Sequence, residues 1–154
     1  MTVSPAVHFL LVEDDDDQAE LVQLAFEDQP THHSLDRVGD GESALAYLRR
    51  EGPFVEARRP DVVLLDLRLP RMDGHEVLRS IKSDRSLRRI PVVVLTTSTA
   101  PSDKARAYEL HVNSYLMKPD GFDRFQSMIS DLHRYWSQWN EGSQGELESA
   151  ERAG

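Results

Sequence analysis

Apolar residues recur along this chain in five short runs separated by amphipathic stretches. Val7 to Glu13 opens with an apolar run, Val62-Val63-Leu64-Leu65 is a second, and Val92-Val93-Val94-Leu95 a third. Short runs rich in β-branched residues predict strands buried on both faces. Weaker strands are expected near Ser34 to Val38 and at Ser114 to Met117. Between them, apolar residues take helical spacing. Ala19, Val22 and Phe26 predict a helix over about 16–27, and Ala44, Leu45 and Leu48 one over about 42–50. Val77, Leu78 and Ile81 predict a third over about 74–83, and a fourth is expected over about 102–110. Phe122, Phe125, Ile129, Leu132 and Trp136 place one inward face on a fifth, over about 122–136. Gln29-Pro30-Thr31 and Gly39-Asp40-Gly41 break the pattern, and Glu51 to Pro60 is expected to be a loop.

Strand and helix therefore alternate five times. That pattern predicts an α/β fold, a five-stranded parallel sheet with helices on both faces. Right-handed crossovers leave few topologies, among them the flavodoxin-like order 2-1-3-4-5. In that order the first and third strands lie side by side, so their carboxyl ends share one crevice.

The 154 residues are enough for one domain with a sizeable core. A domain over 1–139 and an acidic, disordered tail over 140–154 are expected, the tail holding four glutamates, one arginine and one leucine. No DNA-binding module fits in that tail. A net charge of −9 argues against a nucleic-acid footprint. The arginine pairs Arg49-Arg50, Arg58-Arg59 and Arg88-Arg89 are scattered and read as solvated surface. No apolar run approaches the roughly 20 residues of a membrane span, and no signal-like segment opens the chain, so a cytoplasmic location is expected. Without cysteine there is no disulfide framework or thiolate chemistry.

Chemistry concentrates at the strand ends. Asp66 ends one apolar run and Glu13-Asp14-Asp15-Asp16-Asp17 ends another, while Lys118 follows the last strand and precedes Pro119. Two acidic strand ends and one lysine suggest a magnesium-dependent, phosphoryl-accepting site. Asp15, Asp16 and Asp17 also suit the cap and first turn of a helix, favoured by its dipole. Asp14-Asp15 competes with Glu13-Asp14 as the working acidic pair. Thr96 also reads as a strand end, and Tyr115 as edge packing. The six histidines lack a metal spacing, His32-His33 falling in a loop and His8, His75, His111 and His133 being dispersed. Trp136 reads as core, and Trp139 as either core or interface.

Four separated signatures carry a resemblance. They are Leu11-Val12-Glu13-Asp14, Leu65-Asp66 with Pro70 and Met72-Asp73-Gly74, Leu95-Thr96-Thr97, and Tyr115 with Lys118-Pro119. Together, over about 7–137, they resemble the receiver domain of bacterial response regulators. The resemblance implies that Asp66 is a phosphoacceptor. It implies that Mg2+ is held by Asp14, Asp66 and the Arg68 carbonyl, with Glu13 acting through water. It further implies that Thr96 and Lys118 bind the phosphoryl group, that Thr96 and Tyr115 form the switch, and that a cis peptide precedes Pro119.

The resulting expectation is a phosphorylation-controlled signalling switch, not an enzyme. It accepts its phosphoryl group from a sensor histidine kinase and acts through a protein-interaction surface. A phosphorelay intermediate, a phosphate sink and a phosphate-independent scaffold are the alternatives. A haloacid dehalogenase-type phosphatase would need a second aspartate where Arg68 stands. The loop from Gly52 to Pro60, the run Leu95-Thr96-Thr97-Ser98 and the aromatic end of helix five are similar to receivers paired with bacterial phytochrome kinases. A homodimer through strand five and helices four and five is a further expectation. Arg68 borders the phosphoryl position, where it shields or contacts the acyl phosphate.

Overall fold

The computed structural model of the protein describes residues 6–30 and 32–141. The strands are β1 (Val7–Val12), β2 (His33–Val38), β3 (Val62–Leu65), β4 (Val92–Thr96) and β5 (Ser114–Met117). The helices are α1 (Asp16–Glu27), α2 (Gly41–Arg49), α3 (Gly74–Ser83), α4 (Pro101–Glu109) and α5 (Phe122–Arg134). All four strand pairings are parallel, in the order β2-β1-β3-β4-β5. This is the flavodoxin-like topology expected from the alternation.

Because side chains alternate across a strand, the sheet feeds two cores. Leu10, Val12, Val63, Leu65, Val92 and Val94 pack with α2, α3 and Ala107 of α4. Phe9, Leu11, Val62, Leu64, Val93 and Leu95 face the other way, onto α1 and α5. β3 and β4 are buried along their whole length, which explains why they read as continuous apolar runs.

Capping sets the helix starts. Asp15, Asp40 and Asp73 each accept a backbone N–H three residues on, opening α1, α2 and α3. Such caps are worth about 1 kcal/mol each. The Asp40 cap starts α2 one residue earlier than the apolar spacing suggested, and Arg50 ends it in a left-handed conformation at φ 55°. Pro101 at the first helical position likewise moves α4 one residue forward. α4 and α5 have no side-chain cap, and Ala107 is the buried residue of α4. α4 is therefore the helix with the weakest hold on the core.

Three expectations need correction. His33 lies in β2 rather than in a loop, because it pairs with Val7 in the sheet. Phe122 is exposed, because α5 turns its inward face through Phe125, Ile129 and Leu132. The regular helix stops at Arg134, and a π-helical turn carries Tyr135–Trp139, leaving Trp136 against the α1–α5 core and Trp139 73% exposed. Residues 52–54 of the long loop form a 3₁₀ turn. No described helix is long and apolar enough to cross a membrane. Of the expected tail, only Asn140 and Glu141 lie within the described residues.

Candidate functional site

The sheet's hydrogen bonding continues past the strand ends and fixes the residues there. The Glu13 N–H donates to the Val38 carbonyl and the Asp66 N–H to the Val12 carbonyl, both at 3.1 Å. The Lys118 N–H donates to the Thr96 carbonyl at 2.7 Å. Arg37 Nε donates to the Glu13 carbonyl at 2.9 Å while its Nη1 pairs with Asp16 at 2.8 Å. The candidate side chains thus stand on an edge fixed by the sheet's hydrogen bonds, which suits a preorganised site.

Glu13, Asp14 and Asp66 each present a carboxylate oxygen within 4.8 Å of the others. Glu13 is buried, Asp66 half-buried and Asp14 exposed. Lys118 Nζ lies 2.7 Å from Glu13 Oε1, 3.8 Å from Asp66 Oδ2 and 3.4 Å from Gln18 Oε1. Burial pushes the Glu13 carboxyl up to about 7, with the negative Asp66 adding to the rise and Lys118 opposing it. One ammonium cannot neutralise three carboxylates. The shortfall, in an all-oxygen donor set free of histidine and cysteine, fits a divalent cation of the magnesium or manganese kind. Asp15 caps α1 through Gln18 instead of joining the cluster, so Glu13-Asp14 is the pair that faces Asp66.

The remaining sequence-derived residues surround this centre, and of them Arg68 touches one of its carboxylates, through its backbone. The Arg68 N–H donates to Asp66 Oδ1 at 3.1 Å. Its guanidinium, however, turns to α4, with Nη2 3.5 Å from Asp103 Oδ2. Thr96 is fully buried, and its Oγ1 accepts the Ser98 N–H at 3.2 Å. Tyr115 lies opposite Val94 in β5. Its hydroxyl is the buried side-chain polar atom without a hydrogen-bond partner among the described residues. Ser98 neighbours that phenol, but its hydroxyl donates to Asp103 at 2.5 Å. The Lys118–Pro119 peptide is not cis, contrary to expectation.

This arrangement can hold a divalent cation beside a carboxylate nucleophile and present an ammonium to an incoming anion. The family profile described as the response regulator receiver domain matches residues 9–130. The chain belongs to that family. As a receiver domain of two-component systems, it is a signalling switch with a site for a divalent metal.

The receiver is 49% identical over 132 residues to the probable methanogenesis regulatory protein FilR2 of Methanothrix harundinacea, covering 85% of this chain and 84% of that one. It is 41% identical over 133 residues to the response regulator Rcp1 of Synechocystis, covering 86% and 90%. The Mn2+-bound structure of Rcp1 superposes with a TM-score of 0.83 at 40% identity, over 88% and 98% of the two chains. The phosphorylated cyanobacterial phytochrome response regulator RcpA gives a TM-score of 0.86 at 40% identity, over 90% and 99%.

Three parts of the receiver's site escaped the sequence. Gln18 reaches Lys118 from the first turn of α1, on a helix whose polar positions look like ordinary surface. Asp103 joins the edge of the site from α4, and no local pattern marks it. Gly74 opens the third expected helix, and its close approach to the Asp66 segment has no mark in the sequence. A Cβ there would lie 2.4 Å from the Asp66 carbonyl oxygen and 2.6 Å from Leu67 Cα. Asp73-Gly74 thus supports the segment that carries Asp66.

Proposed function

We propose that this receiver accepts a phosphoryl group on Asp66 from the phosphohistidine of a sensor histidine kinase. An Asp66 carboxylate oxygen attacks phosphorus, the P–N bond breaks, and the departing imidazole nitrogen takes a proton from solvent. The product is an acyl phosphate on Asp66. The observation that carries this reading is Lys118 standing between Glu13 and Asp66 inside a three-carboxylate cluster. In that place its ammonium offsets charge on the transferred group. Asp14, Asp66 and the Arg68 carbonyl would hold Mg2+, with Glu13 behind them, and the ion supplies charge neutralisation between carboxylates and phosphoryl oxygens. Thr96 would turn its hydroxyl from the Ser98 amide toward a phosphoryl oxygen, with Tyr115 following.

The likeness to Rcp1 and RcpA supports a kinase of the phytochrome type as phosphodonor, encountered in the cytoplasm. The receiver unit would extend through Trp139, because the π-helical turn continues α5 to that residue. Exposed Met117, Tyr135 and Trp139 on β5 and the end of α5 favour a homodimer through this edge. Light scattering would report a mass of two chains.

The phosphoacceptor reading is tested with acetyl phosphate and Mg2+, followed by intact mass. One added phosphoryl group is expected, absent in Asp66→Asn and after chelation by EDTA. Equal incorporation into Asp66→Asn would sink the assignment.

A further inference from the structure

Asp103 gathers three parts of the molecule at one carboxylate. Its Oδ2 takes the Ser98 hydroxyl at 2.5 Å and lies 3.5 Å from Arg68 Nη2, while its backbone carbonyl lies 3.0 Å from His75 Nε2 of α3. Ser98 belongs to the segment after β4, Arg68 to the segment after β3, and Asp103 itself to the first turn of α4. Two further observations bear on whether this arrangement can change. The Arg68 side chain is 72% exposed, and its own backbone N–H is tied to Asp66, so its guanidinium can swing from Asp103 to a group placed on Asp66. A phosphoryl group, doubly charged and matched to the guanidinium fork, outcompetes a single half-exposed carboxylate for it. Meanwhile the Tyr115 hydroxyl is buried beside the Ser98 hydroxyl without closing a well-formed hydrogen bond, and Asp103 and Arg68 both lie close enough to act on its charge.

We infer, building on the phosphoacceptor reading of Asp66, that Asp103 is a positioning residue that exchanges partners. It holds Arg68 when the Asp66 site is empty and accepts the Tyr115 hydroxyl when a phosphoryl group draws Arg68 away. The exchange satisfies the one described buried hydroxyl left without a partner. It also removes the ion pair that ties α4 to the loop after β3. α4 has no side-chain cap and buries Ala107 alone, so a change at Asp103 shifts its position readily.

The test uses the full chain labelled with 3-fluorotyrosine and followed by 19F NMR, the Tyr115 signal being assigned by its loss in Tyr115→Phe. Beryllofluoride with Mg2+ stands in for the phosphoryl group. Its own fluorine signal reports uptake separately. On uptake the wild-type Tyr115 signal is expected to move. In Arg68→Ala the signal should stand more than halfway to that position before any beryllofluoride is added. Adding Asp103→Ala to this variant should return it. Asp103→Asn, which keeps the side-chain shape at the start of α4, serves if alanine unfolds that helix and should likewise weaken the displacement. A Tyr115 signal unmoved in Arg68→Ala overturns the exchange, as does an undiminished displacement in both Asp103 variants. If the wild type takes up no beryllofluoride, the reading of Asp66 falls, while the Arg68→Ala spectrum, which needs no mimic, still decides the exchange.

Discussion

Replacing Gly74 with alanine puts a methyl group 2.4 Å from the Asp66 carbonyl oxygen, 2.6 Å from Leu67 Cα and 3.1 Å from the Asp66 carbonyl carbon. Comfortable heavy-atom contacts lie near 3.5 Å, so the start of α3 and the Asp66 segment must part by about 1 Å. The Gly74 N–H to Leu67 carbonyl bond, 3.0 Å long, ties the same two segments and stretches with them. Overpacking of this kind costs about 1–3 kcal/mol. The better helix propensity of alanine returns roughly 0.5–1 kcal/mol. A net loss of about 1–2 kcal/mol should appear as a lower urea midpoint in Gly74→Ala. The chemical effect should be larger, because a reacting group misplaced by about 1 Å loses on the order of 10²-fold in rate. The rate of phosphoryl incorporation from acetyl phosphate, read by intact mass, measures it. Gly39→Ala is the control: a Cβ there meets nothing within 4 Å, so stability should change by no more than about 0.5 kcal/mol and the rate should not change. A wild-type rate in Gly74→Ala would refute the claim that the glycine's close approach sets the position of Asp66.

Three further outcomes are expected. Burial, with His33 beside it, lowers the His133 imidazole to about 4. The unfolded chain therefore takes up a proton below about 6.5 that the folded chain refuses until about 4, so this contribution is complete above about 6.5 and is lost as pH falls. It amounts to at most about 2–3 kcal/mol, and urea midpoints between pH 7 and 4.5 should fall less steeply in His133→Leu than in the wild type. Asp40→Ala removes the cap of α2 and a partner of Arg71, and should cost about 1 kcal/mol by the same assay, with an unchanged midpoint contradicting it. Saturating Mg2+ should raise the wild-type thermal midpoint, about 2.7 kcal/mol being gained at a hundredfold excess over Kd, and the gain should vanish in Asp14→Asn.

The fold was legible because each level of the chain agrees with the next. Apolar runs at Val62–Leu65 and Val92–Leu95 can be buried on both faces only in a sheet covered by helices, and the intervening 3.6-residue periods supply those helices. The centre of the site was legible for the same reason. Glu13, Asp66 and Lys118 directly follow strands, so parallel pairing alone brings them to one edge. What stayed hidden depends on side-chain reach across elements distant in sequence. Asp103 meets Arg68 and Ser98 only after α4 has packed, and His133 meets His33 at 3.0 Å across 100 positions. The two rings also pack against Phe9 and Phe26, contacts that no local spacing marks. Phe122 misled because its spacing fits the inward face of α5, while its place at the first residue of the helix leaves it over solvent.

The central claim is that Asp66, and no other acid of the cluster, carries the phosphoryl group. Phosphorylated protein treated with borohydride has its acyl phosphate reduced to an alcohol with release of phosphate, which marks the modified residue for peptide mapping. Homoserine at position 66, with Glu13 and Asp14 intact, is the expected result. Reduction product at position 14, or none after saturating treatment with acetyl phosphate and Mg2+, would contradict the account.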